Sequence, residues 1–217
     1  MKKYLTLGAC AASLFVNNCL GATEIKPFIG ANFALTGAVW TESTKDATED
    51  LFDLPTSFWG FGFDVGARFA NNNMYNCGLT LAYDYVLDSK ADIKSSAKPY
   101  LLSVETGFSA FSFTFDNYLR VSEKDEKRSD VVLGIGIANV KERAYLLPTL
   151  AGEAIGIEKT EEHDTGGAFV FKIGYNSKIN ENTDWSVMGR WFITSGDSNE
   201  KDIETMFNLS FGLRYSF

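Results

Sequence analysis

The chain has 217 residues, 45% hydrophobic, 14% aromatic and 22% charged, with 19 glycines and 4 prolines, a composition that fits one folded domain and excludes collagen-like, disulfide-dense and wholly disordered chains. Lys+Arg 20 against Asp+Glu 28 leaves a formal charge of -8 with no basic cluster, so a nucleic-acid partner has no electrostatic support. One histidine and no Cys-x-x-Cys also remove the usual zinc sites and most histidine-dependent catalysis.

Residues 1–22 read as a secretory signal peptide. Met1, Lys2 and Lys3 make a basic start, Tyr4 to Val16 form an apolar stretch broken only by Thr6, Gly8 and Ser13, and Asn17 to Ala22 form a polar-to-small exit. The apolar stretch is short of the roughly 20 residues that span a bilayer as a helix, so it is expected to be removed, with cleavage after Ala22 or Gly21. A competing reading takes Leu7-Gly8-Ala9-Cys10 as a lipoprotein cleavage box, but it leaves only a handful of apolar residues before the cut. Removal of the leader takes the formal charge from -8 to -10 and leaves Cys77 as a lone cysteine, so no internal disulfide is expected.

Residues 23–217 read in twos. In 59–69 the odd positions are Trp59, Phe61, Phe63, Val65, Ala67 and Phe69, and the even ones are Gly60, Gly62, Asp64, Gly66 and Arg68. Successive side chains of a strand point to opposite faces, so one face is apolar and the other small or charged. The same pattern places strands near 25–39, 59–69, 77–87, 109–121, 131–139, 169–175, 185–193 and 207–217. Within those windows charge falls only on even positions: Lys26, Asp64, Arg68, Asp84, Asp116, Arg120, Lys172, Arg190 and Arg214.

A soluble barrel would show the same alternation; three features favour a barrel turned inside out, with hydrocarbon against its apolar face. The charge-free face is bulky and the opposite face small, as expected when small side chains share a narrow lumen. The connections alternate, with 19, 21, 29 and 13 residues in the first, third, fifth and seventh and 7, 9 and 9 in the others, which fits long outer loops and short periplasmic turns. The excess charge lies in the long connections: 41–57, 88–106, 140–167 and 195–206 carry -4, 0, -3 and -3. Trp59 and Tyr85 at the loop ends and Tyr175, Trp185 and Tyr215 at the turn ends match two interfacial aromatic belts. The expected fold is all-β, an eight-stranded antiparallel up-and-down transmembrane β-barrel. The segment 96–106, with Pro99-Tyr-Leu-Leu-Ser-Val104, is read as a structured loop, although it would allow ten strands.

The last eleven residues, Phe207-Asn-Leu-Ser-Phe-Gly-Leu-Arg-Tyr-Ser-Phe217, alternate to a terminal aromatic. This resembles the closing strand of bacterial outer-membrane barrels, and Thr165-Gly-Gly-Ala-Phe-Val-Phe-Lys-Ile-Gly-Tyr175, a short turn and Asp184-Trp-Ser-Val187 are similar to the second half of OmpA-like and opacity-protein-like small barrels of the porin family. The resemblance implies an outer-membrane location among lipid and lipopolysaccharide, recognition of Phe211, Leu213, Tyr215 and Phe217 by the barrel-assembly machinery, and a structural or adhesive role in the cell envelope. The peptidoglycan-binding domain of full-length OmpA, and its tethering role, are not expected.

Eight strands leave a lumen that side chains fill. By parity, Asp64, Asp84 and Asp116 share it with Arg68, Arg120, Lys172, Arg190 and Arg214, net +2, a set expected to pair as a plug because unpaired buried charge costs several kcal/mol. A narrow ion or small-solute pore is the alternative. His163, in Glu161-Glu-His-Asp164, reads as solvated loop, and no motif selects a serine to join it in a lipid-modifying enzyme. The acidic runs Asp46–Asp53 and Asp197–Glu204 lack an ordered calcium-ligand spacing and read as solvated loops. No catalytic residue, metal or cofactor is expected, and Cys77 reads as a small lipid-facing hydrophobe. The expected protein is a monomer, with any host or surface ligand taken through loops 41–57 and 140–167.

Overall fold

The computed structural model describes residues 24–48, 52–70, 75–93, 102–124, 127–149, 153–154, 156, 158–194 and 203–217, so the leader expected at 1–22 lies outside the described residues. Eight long strands carry the fold: β1 (Glu24–Trp40), β2 (Ser57–Ala70), β3 (Tyr75–Lys90), β4 (Leu102–Lys124), β5 (Lys127–Pro148), β6 (Thr160–Lys178), β7 (Thr183–Thr194) and β8 (Ile203–Ser216). Each is antiparallel to its chain neighbours, and β1 pairs with both β2 and β8, so the sheet closes into a barrel. The seam runs from Phe28↔Ser216 to Val39↔Thr205, and the Phe217 N–H donates to the Pro27 carbonyl at 3.0 Å. Closure leaves no sheet edge in the span, the condition for a sheet in hydrocarbon.

Parity decides which face meets lipid. The large hydrophobic side chains left exposed, from Ile25, Phe33 and Phe61 to Phe169, Phe171 and Phe211, all sit at odd positions. Charge at odd positions of the eight strands is confined to Glu105, Glu123, Lys127, Lys141, Arg143 and Glu161, all in the overhanging ends of β4, β5 and β6. An unbroken apolar wall of this kind has no stable solvent but a bilayer. At the turn end Tyr175 packs on Trp185 with ring centroids 5.5 Å apart, and at the opposite end Trp59 stands exposed beside Phe33 at 5.3 Å.

The strands are longer than their apolar cores. β4, β5 and β6 run to 23, 22 and 19 residues, about twice the 9–11 that cross a membrane. Residues 140–148 and 160–167, expected as loop, form a paired ladder, with Lys141↔Thr165, Arg143↔His163 and Tyr145↔Glu161 opposite one another. Residues 102–106, expected within a loop, belong to β4 and add no ninth strand. The expectation failed because the charge that marks this stretch as solvated is compatible with a three-stranded overhang of β4, β5 and β6 once water replaces lipid around it. Pro99 lies outside the described residues.

The first long connection is ordered too. Helix α1 (Glu42–Thr48) is capped by Thr41, whose Oγ1 accepts from the Thr44 N–H at 3.4 Å, as N-cap threonines do. Phe52–Asp53 then pairs with Asp92–Ile93 of the second long connection. The acidic run at 46–53 is thus partly helix and ribbon, and most of the run at 197–204 lies outside the described residues. Cys77 departs from expectation as well, since the side chain expected to face lipid is buried.

Gly136 lies where β5 approaches β4 most closely: a Cβ there would collide with the Phe113 carbonyl oxygen and stand 2.8 Å from Thr114 Cα. Gly→Ala at an unstrained site normally stabilises by about 0.4–1 kcal/mol. Gly136→Ala is expected to do the reverse, lowering the urea midpoint of the refolded barrel, read by heat-dependent gel mobility. An unchanged or raised midpoint would refute the close approach.

Candidate functional site

The lumen is built by the even positions. Asp64, Arg68, Asp84, Asp116, Lys172, Arg190 and Arg214 point into it, and four cross-barrel ion pairs organise the described charges. Arg190 Nη1 donates to Asp84 Oδ2 at 2.6 Å, and Lys172 Nζ to Asp116 Oδ2 at 2.6 Å. Arg214 holds Asp64 through Nε at 2.8 Å and through Nη2. Arg68 Nη2 meets Asp130 Oδ2 at 2.6 Å, and Arg128 Nε meets Asp130 Oδ1 at 2.9 Å.

The Lys172–Asp116 pair is supplemented by hydroxyls. Asp116 also accepts from Thr80 Oγ1 at 2.6 Å and Thr114 Oγ1 at 3.1 Å. Such added hydrogen bonds are what let a carboxylate remain charged away from water. Arg68 lies 4.3 Å from the centre of the buried Tyr118 ring, and Arg214 4.8 Å from that of Phe28, within range of a cation–π contact.

The sequence missed part of this network. Asp130, Arg128 and Asp184, the last an acceptor for Asn176 Nδ2 at 3.1 Å, lie just outside the strand windows read from alternation. Their even numbers were the available signal. Arg120 stands opposite Asp130 in the β4–β5 ladder. With these additions the net +2 drawn from sequence falls to one cation in excess, because two further carboxylates enter for one further guanidinium.

Outward of the ion pairs the lumen is filled by apolar side chains. Trp40, Phe58, Val86, Phe108, Val140, Val170, Phe192, Ile203 and Met206 form one buried apolar cluster. Phe58 meets Phe108 edge-on at 4.7 Å. Ile203 reaches the inside from an odd position because a register shift at Val39/Trp40 pairs it with Trp40. The polar stack and this cluster leave a central internal cavity of ≈ 20 Å³ lined by Asn32, Asp64, Ser112, Lys172 and Arg190 among others, room for about one water molecule.

Above the cluster the lumen opens into a pocket of ≈ 260 Å³ lined by Trp40, Thr106, Phe108, Glu142, Arg143, Ala144, Glu162, His163 and Asp164. His163, expected in a loop, sits in β6 with Nε2 2.8 Å from Glu161 Oε1. The pocket lining contains no serine. At the far end of the chain Phe211, Leu213, Tyr215 and Phe217 all face outward, at 60%, 57%, 45% and 69% exposure.

Comparison with known proteins turns on this architecture. No protein-family model matches the chain, and no curated protein matches it in sequence. Solved structures do match. The attachment invasion locus protein Ail of Yersinia pestis aligns over 90% of this chain and 100% of its own, with a TM-score of 0.53 at 13% identity. OprG, an outer membrane protein of Pseudomonas aeruginosa, aligns over 91% and 98% at TM-score 0.51 and 11% identity. A major outer membrane protein of Thermus thermophilus aligns over 89% and 99% at TM-score 0.52 and 10% identity. The fold is that of small bacterial outer-membrane β-barrels. Its apolar band is the part built to sit in the bilayer.

Removing one partner of a buried pair strands the other, at about 3–5 kcal/mol. Asp116→Asn and Lys172→Met, singly, are each expected to destabilise the refolded barrel to urea by that order, and the double variant by less than their sum. Additive losses would show that the 2.6 Å contact carries no coupling.

Proposed function

We propose that this protein is an integral outer-membrane barrel with a structural and surface-interaction role, supporting envelope integrity and adhesion, and that its lumen conducts nothing. One observation carries the reading: the lumen is filled through most of its length, first by paired charges and then by aromatic and aliphatic side chains, while β4, β5 and β6 extend past the apolar band. The chain thus invests its order in the wall and in the overhang. By the usual asymmetry of such barrels the end with long connections faces outward; the strand intervals there are 16, 11, 11 and 8 residues, against 4, 2 and 4 at the other end.

The ligand contacts fall to 41–56 and to the ladder 140–148 with 160–167, a stiffer platform than the free loops expected from sequence. Ail, which shares the fold, is described by its name as an attachment and invasion protein, and that description supports the same class of role here. The outward row Phe211, Leu213, Tyr215 and Phe217 is the surface we assign to the assembly machinery, and lipid and lipopolysaccharide are the surroundings of the wall. The protein acts as a monomer in this reading. It is not an enzyme in this reading either, since His163 is engaged by Glu161 and no serine lines its pocket.

Three measurements test it. In planar bilayers the purified protein is expected to give no steady conductance; sustained current that falls on neutralising Arg190 would establish a pore instead. His163→Ala is expected to leave lipid A unchanged in cells, and a lost modification would make the protein an enzyme. Deleting residues 149–159 with the flanking ladder is expected to reduce whole-cell adhesion while the heat-modifiable band persists; unchanged adhesion and envelope integrity would sink the proposal.

A further inference from the structure

The overhang of β4, β5 and β6 is covered on one flank and bare on the other. On the β4 flank, β3 pairs as far as Lys90↔Glu105, and the Ala91 N–H donates to the Val104 carbonyl at 2.9 Å. On the β6 flank the last pair with β7 is Ala168↔Thr194, whereas β6 goes on pairing with β5 up to Thr160↔Leu146. Among the described residues no strand therefore lies along the outer edge of β6 from Thr160 to Gly166. This stretch is beyond Phe169 and Ile193, the outermost exposed apolar residues of β6 and β7, so water surrounds it and the demand for closure in hydrocarbon does not apply. A bare strand edge is a template for a further strand.

The side chains along the edge decide what can pair with it. Glu162 and Asp164 stand on the even face, Glu161 and His163 on the odd one, and all but Asp164 are exposed. Glu161 is held by His163 Nε2 at 2.8 Å, and the Asp164 carboxylate accepts from the Thr165 N–H at 2.7 Å. Three carboxylates on one short stretch make a second copy of this chain a poor occupant, because joining two such edges sets like charges opposite each other. They suit a strand of the other sign. An incoming strand with a basic residue at every second position places those residues beside Glu162 and Asp164 on a single face, since strand side chains alternate.

We propose that the bare edge of β6 from Thr160 to Gly166 takes up an extended segment of another protein, rich in lysine or arginine, as an added strand. Backbone hydrogen bonds hold the segment, as in other cases of strand addition, and the acidic face selects its charge. The added strand lies beside the overhang, so the closed wall in the bilayer is untouched. The bare edge is a property of the fold alone; a surface protein as its occupant rests on the outward, adhesive role proposed above.

The test uses the refolded full-length chain in detergent micelles, each variant first checked for heat-dependent gel mobility. The calorimetric probes are a peptide alternating lysine with threonine, the same peptide N-methylated at every backbone nitrogen, and a peptide alternating glutamate with threonine. The lysine peptide is expected to bind saturably and to slow hydrogen exchange of those amides in 160–166 that point away from β5; the other two are expected to do neither. Glu162→Gln with Asp164→Asn is expected to weaken binding by about threefold to tenfold, while Glu24→Gln at the opposite end changes nothing. Equal binding of the N-methylated peptide, absence of saturable binding, unslowed exchange in 160–166, or full affinity in the double variant would overturn the proposal. So would edge amides that are already protected in the free chain and released by diluting the protein or by deleting residues 195–202, since a second copy or this chain's own segment would then be the occupant. Binding in micelles, with no binding to intact cells beyond that of cells carrying the double variant, would leave the edge site standing and remove the outward orientation instead.

Discussion

Hydrocarbon on the outside of a sheet forbids any unpaired backbone group along the wall, and the rest of this molecule follows from that constraint. It demands closure, hence the β1–β8 seam and the hydrogen bond from Phe217 to Pro27. It also inverts the usual placement of side chains. Phe61, Phe171 and Phe211 face out, where lipid accepts them without the penalty water would exact, and the inside is left to whatever eight strands can enclose.

What they enclose is narrow, and two different chemistries fill it. In the centre and towards the turn end, carboxylates from β2, β3, β4 and β5 reach cations from β2, β6, β7 and β8, tying strands that are not neighbours in the sheet. A pair such as Asp84–Arg190 spans the lumen and resists the sheet's collapse or shear in a way ladder hydrogen bonds cannot. Small residues make this possible: the Cβ that Gly62 lacks would stand 2.6 Å from Asp84 Oδ1. Towards the outer end the same parity delivers Trp40, Phe108 and Phe192 to the inside. There the barrel resembles a soluble protein's core surrounded by a membrane protein's wall.

Period-two alternation made the strands, their number and the inward side of Asp64, Asp84, Asp116, Lys172, Arg190 and Arg214 legible, because a strand's facing is a local property. Three things were not. The overhanging ladder 140–148 with 160–167 was hidden because beyond the lipid its sequence need not alternate apolar with polar. The apolar outer third of the lumen was hidden because Phe58, Val86, Phe108 and Phe192 sit on the face read as polar, and a parity count looks for charge and passes over them. Asp88 and Ile203 were hidden by register shifts, since an extra residue exchanges inside for outside and nothing in the composition announces it. Ion-pair partners such as Arg68 and Asp130, 62 residues apart, depend on the closure of the whole ring and lie beyond any local pattern.

The seam also orders events in time. Pro27 and Phe217 stand at opposite extremes of the described chain, and the bond between them joins the first stave to the last. A ribosome reaches Phe217 only after every other stave has been made, so no shorter product can own a finished wall. Until that last pairing forms, the sheet has two open edges, which hydrocarbon does not accept.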